Sequence, residues 1–207
     1  MKLEIRADGL HISGYVNVTE KMSRPVVTSK GQRVVEVIEP RTFSKALEKA
    51  GNIPLTKDHI PDYVLAETRA GTLKLREDAI GLHAEALVTD PQTIAEARAG
   101  AIKGWSFGMR DVEDIIEERA DALPLRRIRG MTLDHITLVI HKVPCYAATS
   151  IEVRADDETR AIEYRAMDDA PEVISEPAYD NSEYKKRLEA LKKRRRQNAE
   201  SPDGKTR

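Results

Sequence analysis

The chain has 207 residues, 34 basic against 35 acidic side chains, a formal net charge of −1 and 40% hydrophobic residues. That length suits one domain plus a tail or two small domains, and the composition suits a soluble protein with a modest core. No apolar run approaches the roughly 20 residues a membrane helix needs. The opening Met1-Lys2-Leu3-Glu4-Ile5-Arg6 lacks the apolar core of a signal peptide, so a cytoplasmic protein without a membrane partner is expected. Cys145 is the only cysteine. An internal disulfide and a cysteine-held metal cluster are therefore excluded, and the residue reads as a small buried hydrophobe.

In chain order, Leu10, Ile12, Gly14, Val16 and Val18 alternate with polar or small residues and predict a half-buried strand. Residues 33–38 are a shorter β-branched run. Phe43, Ala46, Leu47 and Ala50 then recur at helical spacing, with Gly51 placed to end the helix. The strand pattern returns at Ile53. Residues 72–76 alternate, 77–81 make a turn, and Leu82, Ala84, Ala86 and Val88 alternate again, an antiparallel hairpin with one wet face. Asp90-Pro91 predicts a helix start, Ile94, Ala97, Ala101 and Ile102 its apolar stripe, and Gly104 its cap. Residues 115–119 are highly charged and read as an excursion between strands, 133–140 as a strongly β-prone strand, and 150–154 as a last strand. Strands dominate, so a mainly β fold with a few packed helices (α+β) is expected for residues 1–154.

Residues 155–179 mix acidic residues, prolines and alanines without sustained period and read as a flexible linker. In residues 180–207, Asp180 and Glu183 resemble a capping pair. Tyr184, Leu188 and Leu191 share a helical face, and the helix ends in Lys192-Lys193-Arg194-Arg195-Arg196. Such cations suit the C-terminal end of the helix dipole, and a solvated charged end explains them. The sharper expectation is a basic helical docking tail. A protein partner is favoured over nucleic acid, because no aromatic ladder is present to stack bases.

Gly104-Trp105-Ser106-Phe107-Gly108 sets a serine between two glycines and two aromatics in a chain with 4% aromatics. Ser106 is either a nucleophile or a hydroxyl in a glycine-edged turn, since such short patterns arise by chance. A nucleophile needs a base. Of the five histidines, His11 and His83 fall on polar strand phases and His141 at a strand end. His59 ends a short strand before Ile60-Pro61, where it either presents a functional ring or caps a turn. His135 lies inside the 133–140 strand, on a face with Thr137 and Val139, while Asp134, Ile136, Leu138 and Ile140 face the other way. It is either structural or the group that orients a catalytic histidine. No His-Glu-x-x-His pattern occurs, and no metal or cofactor is expected. An α/β-hydrolase elbow requires strand, serine and then helix, whereas here a helix precedes Ser106, so that assignment is rejected.

Taken in order, these pieces resemble the prohead proteases of tailed bacteriophages, capsid-maturation serine proteases related to herpesvirus assemblin. The resemblance spans about residues 11–154: the opening strand Ile12-Ser13-Gly14-Tyr15, the segment from Val37 to Phe43, Lys57-Asp58-His59, the hairpin 71–87, and Gly104 to Met109. It implies an assemblin-like antiparallel β-barrel and a serine endopeptidase with Ser106 as nucleophile and His59 as general base. His135 stands where the family commonly carries an acid, and assemblin-like proteases use a second histidine in that role. Asp134 is held in reserve as a residue expected on the opposite face. Val143-Pro144-Cys145-Tyr146 replaces the family's Pro-Ala-Asn-Pro, leaving the oxyanion-region residues open. The implied setting is the assembling prohead in the host cytoplasm. The implied partners are the scaffold and major capsid protein, which the enzyme cuts before processing itself, and a second copy as homodimer. The tail would dock there and be removed. The alternative is a degenerate protease domain acting in assembly through its basic tail.

Overall fold

The computed structural model describes residues 1–141, 163–166, 172–175 and 192. In chain order the elements are β1 (Lys2–Arg6), β2 (Gly9–Val18), β3 (Val26–Val27), β4 (Arg33–Ile38), α1 (Thr42–Lys49), β5 (Pro54–Lys57) and β6 (Ile60–Glu67). There follow β7 (Leu73–Glu77), β8 (Gly81–Val88), α2 (Pro91–Arg98), β9 (Gly104–Glu117), β10 (Leu125–Val139), β11 (Glu163–Ala166) and β12 (Glu172–Ser175). The mainly β, two-helix character read from the sequence is what the described residues form.

The expected closed antiparallel barrel is not found among them. One sheet runs β12-β1-β2-β8-β7; the other runs β11-β9-β10-β4-β3, with β5 on β10 and β6 on β5. Three pairings are parallel: β1 with β12, and β10 with both β4 and β5. The long β10 divides one edge between two short strands and gives its other edge to β9. The core is closed by side chains of both sheets meeting in one cluster, not by edge hydrogen bonds. Leu3, Leu10, Ile12 and Leu82 come from the first sheet; Leu55, Phe107, Met109, Ile136 and Leu138 come from the second. Each such buried side chain contributes on the order of 2 kcal/mol of transfer free energy.

Helix α1 packs on β10 of the second sheet, and α2 lies against β1 and β12 of the first. Phe43 and Ala46 of α1 are buried, and the Phe43 ring meets Phe107 of β9 edge-on with centroids 5.6 Å apart. Asp90 caps α2 by accepting from the Thr93 backbone N–H, with Pro91 in the first turn. The expected cap glycine is misplaced. The helix ends at Arg98, Gly100 takes the left-handed conformation (φ 68°), and Gly104 already opens β9. Residues 115–117 also differ from expectation, because β9 continues through them to pair with β10. Their apolar members, Ile115 and Ile116, are exposed on this hairpin arm, so composition there reflects solvent and not the absence of a ladder.

Two stretches of the expected linker are strands. β12 pairs with β1 and β11 with β9. Four-residue strands whose partners lie far off in sequence carry no periodic signal of their own. Residues 1–175 form one compact unit and 176–207 another. The expected strand 150–154, Cys145, the 143–146 segment and the helical tail fall outside the described residues, Lys192 excepted.

Candidate active site

Ser106, His59 and His135 reach one point from three elements. Ser106 lies in β9, directly opposite Thr137 of β10. His59 occupies the two-residue turn between β5 and β6, whose flanking Lys57 and Ile60 pair. Asp58 (φ 49°) and His59 (φ 57°) are both left-handed there, a conformation that costs L residues about 1 kcal/mol or more each and persists only when its surroundings enforce it. Here β10 enforces it. The Asp58 N–H donates to Leu138 O at 2.9 Å, and the His59 N–H donates to Thr137 Oγ1 at 3.1 Å. The buried Asp58 carboxylate accepts the Ile140 N–H at 2.7 Å and the His141 N–H at 3.1 Å. Thr137 in turn donates its hydroxyl to Thr56 O at 3.0 Å. The histidine is thus aimed by a turn whose polar groups are tied to the neighbouring strand.

The side chains then form a line. His59 Nε2 is 2.8 Å from Ser106 Oγ, and His59 Nδ1 is 2.8 Å from His135 Nε2. His135 Nδ1 is 2.9 Å from Asp134 Oδ2, and Arg110 Nε donates to the other oxygen of Asp134 at 3.1 Å. The line has four members where the sequence predicts three. Asp134 was expected on the opposite face, and that expectation fails at a β-bulge. In the β9–β10 ladder Leu133 faces Met109 and His135 faces Gly108, so Asp134 is the extra residue. A bulge re-aims side chains that strict alternation would separate.

Gly108 belongs to the same construction. A Cβ on it would lie 2.5 Å from His135 Cε1 and 2.9 Å from its Nδ1, so only glycine leaves room for the ring. Both glycines of the Ser106 motif sit in the strand, and the second serves His135, not an elbow.

The carboxylate sets the protons along the line. The hydrogen bond from His135, with Arg110 adding to it, outweighs desolvation and holds the Asp134 carboxyl below its ordinary value. An ionised carboxylate can only accept, so His135 carries its proton on Nδ1 and offers a lone pair at Nε2. His59 donates its Nδ1 proton there, leaving Nε2 free to accept from the Ser106 hydroxyl. Ser106 has one proton and a second acceptor in reach, the backbone carbonyl of Arg165 in β11, at 2.7 Å. That one proton can go to His59 Nε2 or to the Arg165 carbonyl oxygen, since both are acceptors within reach of the hydroxyl. The serine is 1% exposed, with β11 paired along β9 from Ser106 to Met109.

The remaining histidines do not join this line. His11 lies against Asp8, His83 packs edge-on to Tyr15, and His141 sits 2.9 Å from Asp58. No group of metal-binding side chains occurs among the described residues. No described helix is long and apolar enough to cross a membrane.

A family model described as Caudovirus prohead serine protease matches residues 1–163. Neither the curated proteins nor the solved structures contain a match. The matched region holds the turn with His59, the β9 serine and the bulged β10 histidine. The chain belongs to the caudovirus prohead serine protease family.

Proposed function

We propose that the protein is a serine endopeptidase that cuts the scaffold, the capsid-protein extension or both inside the assembling phage prohead, and then its own chain. Ser106 is the nucleophile. His59 takes its proton as general base and returns it to the leaving amine, and His135 orients His59. Family membership supports the reaction class and the setting. The observation that carries the assignment is the unbroken line of 2.8–2.9 Å contacts from Ser106 through His59 and His135 to Asp134.

A neutral second imidazole stabilises the imidazolium of His59 less than a carboxylate would. Asp134 offsets that weakness one step out, since positive charge shared toward His135 meets an ionised acceptor. Arg110 limits the gain by neutralising part of that carboxylate.

Wild-type and Ser106→Ala chains are to be expressed with the cognate capsid and scaffold proteins, and the products weighed by mass spectrometry. Processing in the wild type and none in the variant is expected. Processing that persists in Ser106→Ala removes the serine from the mechanism.

A further inference from the structure

The edge of β9 beside Ser106 is occupied by the chain's own β11. Glu163 pairs with Met109, Tyr164 with Gly108, Arg165 with Phe107 and Ala166 with Ser106. Adding a strand to a sheet edge is a general way to bind an extended peptide, with backbone bonds giving affinity and alternate side chains giving selectivity. The carbonyl presented to the Ser106 hydroxyl is that of Arg165.

The alternate side chains, Glu163 and Arg165, are both buried in a built ionic pocket. Arg165 Nη2 donates to Glu36 Oε1 at 2.6 Å and to Glu163 Oε2 at 2.6 Å. Glu163 Oε2 accepts from Arg126 Nη1 at 2.6 Å, and Arg126 also holds Glu36 at 2.7 Å and contacts Asp114. Glu36 and Arg126 are 4% exposed each. Without β11, the charged side chains left in this pocket among the described residues are two carboxylates, Glu36 and Asp114, and one guanidinium, Arg126, with the Ser29 N–H that donates to Glu163 at 3.3 Å. That set fits a cation beside Glu36 and an anion two residues earlier beside Arg126.

Resting on the serine-protease reading above, we propose that the β9 edge is the substrate cleft. It selects Glu-x-Arg, Glu36 reading the arginine and Arg126 the glutamate, and Arg165–Ala166 is the bond cut in the protein itself. Ser106 Oγ adds to the Arg165 carbonyl carbon as its proton passes to His59 Nε2. The C–N bond to Ala166 breaks with that proton going to the new amine, and water hydrolyses the resulting ester. The products are residues 1–165 and 166–207, so the cut removes the basic tail.

The sequence adds an independent observation. Glu-x-Arg-Ala occurs seven times, beginning at Glu4, Glu67, Glu96, Glu117, Glu152, Glu158 and Glu163. The first four begin inside β1, β6, α2 and β9, and two of them, Glu67 and Glu117, are the last residue of their strand, so that Arg69–Ala70 and Arg119–Ala120 lie beyond it. The last three crowd into residues 152–166, directly before the released segment.

The test follows the intact mass of purified full-length chains over time: wild type, Ser106→Ala, Arg165→Gln and Arg165→Lys. The wild type is expected to yield ends at Arg165 and Ala166, and further ends at Arg154 or Arg160 count for the same preference. Ser106→Ala stays whole. Arg165→Gln slows the 165–166 cut about a hundredfold or more, because the buried Glu36 carboxylate loses one of its two guanidinium partners, and Arg165→Lys recovers part of it. The wild-type bond position needs no variant and stands even if Arg165→Gln fails to fold. Ser106-dependent cutting of this chain or of the capsid protein at bonds without a preceding arginine or lysine overturns the specificity and leaves the protease reading intact. Absence of Ser106-dependent cutting in any of these proteins, together with no labelling of Ser106 by a fluorophosphonate, overturns both.

Discussion

At the scale of single residues, the site depends on where protons can sit. Asp134 fixes His135, His135 fixes His59, and His59 presents a lone pair to Ser106. Substitutions along the line should therefore cost progressively less with distance from the serine. We expect kcat/KM to fall most for His59→Ala, less for His135→Ala and about tenfold for Asp134→Asn, which can still hydrogen-bond but no longer supplies a full negative charge. Wild-type activity in His135→Ala would exclude it from the relay. Gly108 tests the same geometry from the other side. Gly108→Ala pushes a methyl group into the His135 ring, and a displacement of about 1 Å there lowers kcat about a hundredfold. Steady-state rates beside the thermal midpoint distinguish this from unfolding.

At the scale of elements, two irregularities do the positioning. A left-handed turn carries His59, and a bulge swings Asp134 round to His135. Each departs from regular strand geometry and each is held by β10. The Asp58 carboxylate is the tie most open to test. In Asp58→Ala the buried Ile140 N–H loses its acceptor and alanine must hold a positive φ, which together destabilise the protein by about 2–3 kcal/mol. Urea unfolding measures that loss. Activity should drop further than the fraction unfolded accounts for, since the turn also aims His59. The helix at 42–49, the hairpin at 73–88 and the Asp90 cap were legible in the sequence because their signals are local: period, turn residues and capping chemistry. The bulge had no such signal. An Asp-His pair on a strand reads as two faces until the partner strand's register is known.

At the scale of the whole molecule, β11 joins sequence-distant parts into one buried ionic cluster with Glu36 and Arg126. Burial by itself pushes the Glu163 carboxyl up, and the hydrogen bond and charge of Arg126 with the charge of Arg165 more than offset it, so its value lies below 4.5. The folded state then binds fewer protons than the unfolded state in that range. The contribution of Glu163 is present above about pH 4.5 and is lost as pH falls through the lowered value. Acid unfolding monitored by circular dichroism should show a steeper loss below pH 4.5 in the wild type than in Glu163→Gln, which lacks the titrating group. Identical acid profiles would mean that the cluster does not couple to folding.

The order of motifs and the mainly β character are determined by the sequence alone, because they rest on residue identity and short-range period. Ser106, His59 and His135 are grouped through the family resemblance, since period leaves each of them a structural alternative. Tertiary structure decided the rest: two facing sheets in place of a barrel, Asp134 as the fourth member of the line, and β11 lying beside Ser106. These depend on which strand pairs with which and in what register. Such pairings join residues far apart in the chain and leave no trace in any local window of the sequence.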